Sequence, residues 1–123
     1  MFYPLKVDSG SGVLPYEMKP AAAGTYKAGT MLTFSSGKLI PASKVTAAPE
    51  YVSVGNETVT DGALLTVAAC SSNVTWRCND VAGTPAVGDK VGIVNGVQAS
   101  TSETNKCATV TAVREDGSIE VRF

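Results

Sequence analysis

Residues 107–123, CATVTAVREDGSIEVRF, carry the reading that decides the fold. A β-branched run over Cys107–Arg114 leads into Asp116-Gly117, after which Ile119, Val121 and Phe123 alternate with Ser118, Glu120 and Arg122. Alternation at a period of two places one face of a strand in a core and the other in water. The Asp-Gly dipeptide accepts the positive φ angles of a two-residue type I′ turn, so a β-hairpin is expected here, with Phe123 packed into the domain.

Working outward, Asn95-Gly96 between Val94 and Val97 repeats the same hairpin signal. Further candidate strands are Thr30–Phe34, Lys38–Ile40, Glu50–Val54, Leu64–Cys70, Val74–Cys78, Lys90–Val94 and Val97–Ala99. Turn signals recur between them every eight to twelve residues or so, the spacing of a small barrel or sandwich. No window carries a sustained helical period. The best helical candidate, Ala42–Ala48, is one or two turns at most, and no internal repeat is present. The expected fold class is therefore all-β, a small β-barrel or β-sandwich-like single domain.

Composition agrees. The chain has 123 residues, with 44% hydrophobic, 17% charged and 7% aromatic side chains, twelve glycines and a formal net charge of −1. This is strand-and-turn chemistry, poor in the Glu, Lys and Leu that a helical bundle needs and too apolar for a disordered chain. The ten Lys and Arg are scattered singly, so the electrostatic footprint of a nucleic-acid binder is missing. No run approaches the roughly 18 apolar residues of a membrane span, and Met1-Phe2-Tyr3-Pro4-Leu5-Lys6 does not read as a secretion signal.

Residues 1–23 differ from residues 24–123. They hold Pro4, Pro15 and Pro20, the flexible Ser9-Gly10-Ser11-Gly12 and no regular period, yet they also carry Phe2, Tyr3, Leu5, Val7, Leu14, Tyr16 and Met18. A segment with that many large apolar side chains rests against something. It is expected to be an extended N-terminal arm, either folded on its own core as an edge strand or docked on another subunit; fully extended it spans about 75 Å. Those seven residues are the candidate interface. Trp76 reads first as a core residue and second as an interface anchor.

Enzyme templates fail for want of residues. Histidine is absent, which removes Ser-His and Cys-His pairs and imidazole bases. Glu50, Glu57, Asp61, Asp80 and Asp89 lie beside turn glycines or at strand ends, where carboxylates stay solvated. Gly88-Asp89-Lys90-Val91-Gly92 lacks the spacing of a phosphate loop. Cys70, Cys78 and Cys107 form no CxxC pair; they read as reduced core thiols, with a Cys70–Cys78 bridge across a hairpin as the alternative. The sequons at Asn56 and Asn73 mean little without a secretion signal. No catalytic, metal or cofactor site is expected.

The order Ala28-Gly29-Thr30-Met31-Leu32, Ser36-Gly37-Lys38-Leu39, Pro49-Glu50-Tyr51-Val52-Ser53, Asp61-Gly62, Val87-Gly88-Asp89-Lys90-Val91 and Glu115-Asp116-Gly117-Ser118-Ile119-Glu120-Val121-Arg122 resembles the head decoration (capsid cement) proteins of tailed bacteriophages. The likeness covers residues 24–123. It implies a small β-rich, β-tulip-like domain with an extended arm, made in the host cytoplasm and carried on the outer capsid surface of the virion. There the domain would clamp neighbouring copies of the major capsid protein, with a homo-oligomer, a trimer above all, as its assembled form. The three cysteines and the Ser/Thr-rich Ala99–Asn105 depart from the lambda-type proteins of that group, so no trimer contact carries over. Competing readings are a head-fibre base, tail or adaptor module and a carbohydrate-binding β module; a hydrolase comes last.

Overall fold

The computed structural model describes residues 1–7 and 14–123, with the backbone alone for residues 5–7. Every regular element in it is a strand. A seven-stranded sheet runs in the order β1 (Phe2–Val7), β9 (Val74–Cys78), β14 (Ile119–Arg122), β13 (Ala108–Val113), β11 (Lys90–Val94), β12 (Gln98–Ser100) and β10 (Val81–Ala82). A five-stranded sheet runs β2 (Tyr16–Pro20), β8 (Leu64–Ala69), β6 (Tyr51–Ser53), β4 (Met31–Ser35) and β5 (Lys38–Pro41). A short ribbon joins β3 (Gly24–Tyr26) to β7 (Glu57–Val59). Neighbouring strands are antiparallel except β10 and β12.

The protein is all-β and sandwich-like, and its described strands form no closed barrel. The five-stranded sheet curls until Ala21, just past β2, bridges Leu39 on β5, and Ala22 N–H donates to the Leu39 carbonyl at 3.0 Å. The main core fills the space between the two sheets, with Trp76, Val91, Ile93, Val110, Ile119 and Val121 from one side and Met31, Val52 and Ala68 from the other. The opposite face of the five-stranded sheet is also buried, where Leu32, Leu39, Leu65 and Val67 pack against Ala21 and Tyr26. Burial on both faces explains why Leu64–Ala69 reads as a nearly continuous apolar run instead of an alternating one.

Several expectations need correction. Asn95 (φ 52°) and Gly96 (φ 76°) form the anticipated two-residue turn, closed by Val97 N–H to the Val94 carbonyl at 3.1 Å. At the other hairpin only Gly117 has positive φ; Gly117 N–H donates to the Arg114 carbonyl and Arg114 N–H to that of Ser118. That is a three-residue loop with a bulge glycine, favoured because Asp116 Oδ1 accepts from both the N–H and the hydroxyl of Ser118, at 2.9 and 2.6 Å. Ala42–Ala48 forms no helical turn. Lys44 has φ 57°, and the segment's N–H groups go to tertiary partners, Ala42 to the Met31 carbonyl and Lys44 to that of Ile93.

The expected arm supplies an edge strand to each sheet. β1 pairs with β9, placing Phe2 opposite Cys78 with a bulge between Pro4 and Lys6, and β2 pairs with β8. Phe2 is buried, its ring 6.1 Å from that of Phe123. Trp76 is a core residue with no exposed surface, which removes it as an interface anchor; its Nε1 is the one buried side-chain nitrogen or oxygen without a partner among the described residues.

Candidate functional site

The two edge strands of the arm, β1 and β2, border one groove. Its cavity volume is about 310 Å³, and among the described residues its lining carries no charged side chain. Phe2 and Val52 lie among the buried residues of that lining, while Tyr3 and Tyr16 are exposed. Leu14 packs against the main core from within the same groove. One wall is the Lys27–Thr30 turn, held from both sides: Phe2 N–H donates to the Gly29 carbonyl and Gly29 N–H to that of Ser53, each at 2.9 Å. Gly29 is required there. Its φ is +87°, and a Cβ would sit 2.8 Å from the Phe2 carbonyl oxygen. Ser53 Oγ adds a hydrogen bond to the Lys27 carbonyl, so the wall is rigid.

From Tyr16 the apolar surface continues along the β2–β8 ladder. Tyr16, Met18 and Leu64 are 67%, 51% and 54% exposed. Register puts them on one face, since Tyr16 opposes Ala68, Met18 opposes Thr66 and Pro20 opposes Leu64. The same alternation turns the charged members of β2 to the other face: Glu17 opposes Val67 and Lys19 opposes Leu65. There Lys19 Nζ stands 3.6 Å from the Glu17 carboxylate and 5.8 Å from the centre of the Tyr51 ring. The Thr66 hydroxyl stands between two acceptors, Met18 Sδ at 3.3 Å and the Glu57 carboxylate at 3.4 Å. The resulting surface is mainly apolar and tyrosine-edged, with the Glu57 carboxylate at the Thr66 position.

Of the seven candidate interface residues, the structure brings Phe2, Tyr3, Leu14 and Tyr16 together in the groove and sets Met18 beside it. Phe2 forms part of the floor and belongs to the core, so it is not itself a surface contact. The side chains of Leu5 and Val7 lie outside the described residues. Sequence reasoning missed Leu64 and the Gly29–Ser53 wall. Nothing in a run such as LLTVAA tells which leucine faces out until β2 sets the register.

Four of the five carboxylates considered for catalysis have structural duties. Glu57 accepts from the Thr66 N–H at 3.2 Å, Asp80 from Gln98 at 3.0 Å and Asp89 from the Ala86 N–H at 2.9 Å, while Glu50 is exposed. Asp61 pairs with Lys38 at 2.6 Å, and that hydrogen bond and charge hold its carboxyl below the usual range. All three cysteines are free thiols. Among the described residues no group of three or more His, Cys, Asp or Glu is placed to hold a metal ion. No protein-family model matches this sequence, and a search of curated proteins finds no match either.

Proposed function

We propose that this chain is a structural virion protein that binds the outer surface of an assembled phage head and cements neighbouring major capsid subunits. The observation that supports the reading is the exposed apolar group Tyr16, Met18 and Leu64 on one face of the β2–β8 pair, beside a groove that Tyr3 also lines. Covering four side chains of this size and exposure removes about 400 Å² from water, worth roughly 10 kcal/mol before the costs of association. That is a useful amount for one site of a repeated contact, and small for a lone permanent complex. A ligand that binds only the closed shell stabilises it by RT ln(1 + [L]/Kd) at every site, so modest affinity multiplied over a lattice resists internal pressure. The resemblance to decoration proteins supplies the partner, the trimeric assembly and the outer surface as location. A non-enzymatic role fits a domain whose carboxylates serve turns and ladders.

The test uses purified heads with and without the protein. Electron microscopy is expected to show it on the outer head surface, and heads lacking it are expected to rupture at a lower temperature. The double variant Tyr16→Ala/Met18→Ala is expected to fold with an unchanged melting temperature and to bind heads at least tenfold more weakly. Equal heat tolerance of complete and depleted heads, or density confined to the tail, overturns the reading.

A further inference from the structure

The Asn95-Gly96 turn between β11 and β12 does more than reverse the chain, because its tip is docked on two other segments. Asn95 N–H donates to Ser43 Oγ at 3.2 Å and Gly96 N–H to the Ala42 carbonyl at 2.6 Å. The Gly96 carbonyl in turn accepts from Met31 N–H, on β4 of the other sheet, at 2.8 Å. Asn95 is exposed, whereas Gly96 is buried. No space remains at Gly96: a Cβ there would meet the Met31 carbonyl oxygen at 2.5 Å and Thr30 Cγ2 at 2.7 Å. Of the five asparagines, Asn56, Asn73, Asn79, Asn95 and Asn105, only Asn95 precedes a glycine. Its side-chain amide carbon is therefore the one that the next main-chain nitrogen can approach without a Cβ in the way.

We propose that Asn95 is a modification site gated by the fold: it deamidates through a succinimide only when the turn has undocked, and the isoaspartate that results does not dock again. The Gly96 nitrogen gives up its proton to hydroxide and attacks Cγ of Asn95. The bond from Cγ to the side-chain nitrogen breaks, and that nitrogen takes a proton from water and leaves as ammonia. Water then opens the ring. Opening at Cγ leaves aspartate, while opening at the main-chain carbonyl leaves isoaspartate, whose backbone runs through the side chain and is one methylene longer. The docked turn blocks the first step twice. The Gly96 proton is held on the Ala42 carbonyl, and ring closure needs a rotation of the Asn95–Gly96 peptide that pulls this N–H off Ala42 and the Gly96 carbonyl off Met31. Reaction therefore draws on opened molecules, at a rate scaled by the fraction that is open. The product is excluded for a different reason. A two-residue turn with φ 52° and 76°, already in contact with Met31 and Thr30, has no room for an added methylene. Failure to dock also removes the tie from the β11–β12 hairpin to β4, so chains that dwell unfolded are retired by their own chemistry.

The experiment holds the full chain at mildly alkaline pH and one temperature, folded in buffer or unfolded in urea. Peptides are mapped by mass at intervals, with chromatography separating aspartyl from isoaspartyl products. In urea Asn95 is expected to convert ahead of the other four asparagines, and in the folded chain at least tenfold more slowly than in urea. After urea is removed, unmodified molecules are expected to regain the native melting temperature and the isoaspartyl fraction to melt several degrees lower. Asn95→Asp carries the new carboxylate without the longer backbone, and it is expected to melt close to the wild type. Conversion of Asn95 as fast in the folded chain as in urea overturns the gate, and conversion in urea no faster than at the other asparagines overturns the site. An isoaspartyl fraction that melts as the wild type does, or Asn95→Asp melting as low as that fraction, overturns the exclusion by backbone length. The readout is independent of head binding, so its failure leaves the proposed function untouched and the reverse also holds.

Discussion

Replacing Phe2 by Ala is expected to cost about 3–5 kcal/mol, the range for emptying a buried aromatic site that cannot collapse. The site cannot collapse because Phe2 is held on three sides. Its N–H is fixed to the Gly29 carbonyl at 2.9 Å, its strand is paired with β9 at Cys78, and its ring meets Phe123 at 6.1 Å. With 1% of its surface exposed, almost the whole ring is lost from the core. Against a total stability of about 5–15 kcal/mol for a domain, that loss is roughly a fifth or more. It corresponds to a fall in melting temperature of roughly 10–20 °C. The control is the next residue. Tyr3 lies on the opposite face of β1 and is 40% exposed, so Tyr3→Ala is expected to cost under about 1 kcal/mol. Urea titration followed by Trp76 fluorescence reads both, and an unchanged m-value certifies that the midpoint shift is a stability change. If Phe2→Ala shifts stability by less than about 1 kcal/mol, or Tyr3→Ala by as much as Phe2→Ala, then β1 does not belong to the core and this account of the arm fails.

Two further outcomes follow from local geometry. Gly96→Ala is expected to cost more than about 3 kcal/mol, because its Cβ would stand 2.5 Å from the Met31 carbonyl oxygen and 2.7 Å from Thr30 Cγ2 at φ +76°. Gly117→Ala, with φ +87° and open space around it, is expected to show the conformational penalty alone, about 1–2 kcal/mol; equal losses in urea titration would contradict the close packing of the Asn95-Gly96 turn. In acid, Asp116 is held below the usual carboxylate range by Ser118 and then by Arg77, and Asp61 by Lys38. A lowered folded-state value gives stability that is present above the ordinary carboxylate pKa and lost as pH falls through the folded one. The melting temperature is therefore expected to hold from neutral pH down to about 5 and to drop below about 4, with a shallower acid limb in Asp61→Asn/Asp116→Asn; identical limbs would refute the assignment.

Most strands from Met31 onward were legible because they present either alternation, as Ile119–Arg122 does, or an apolar run bounded by turn residues, as Leu64–Ala69 does. The strands that escaped are β1, β2, β3, β7 and β10. In β1 the Pro4-to-Lys6 bulge breaks the period, and β3, β7 and β10 are too short to display one. The candidate site was half legible. An aperiodic segment rich in Tyr, Leu and Met announces that it rests on something, but which of its side chains stay exposed is set by register against β8, and a one-residue slip would exchange Tyr16 and Met18 for Glu17 and Lys19. The Asp116 loop was misjudged because an Asp-Gly pair serves two turn types, and the choice rests on the hydrogen bonds that Ser118 makes with the Asp116 side chain.

The position of β14 has a consequence for how the molecule is made. Residues 119–122 lie between β9 and β13, near the middle of the seven-stranded sheet and not at its rim. Until they leave the ribosome, β9 and β13 have no partner on their facing sides, and Phe2 has no Phe123 to meet. The first residue is tied just as remotely, its amino group bonded to the Val97 carbonyl. A sheet in which β1 and β14 must both find β9 pays loop-closure entropy before those contacts reward it, so folding is expected to be slow. During that interval the unpaired flanks of β9 and β13 are open to neighbouring nascent chains, which makes aggregation yield, more than native stability, the property on which expression temperature acts.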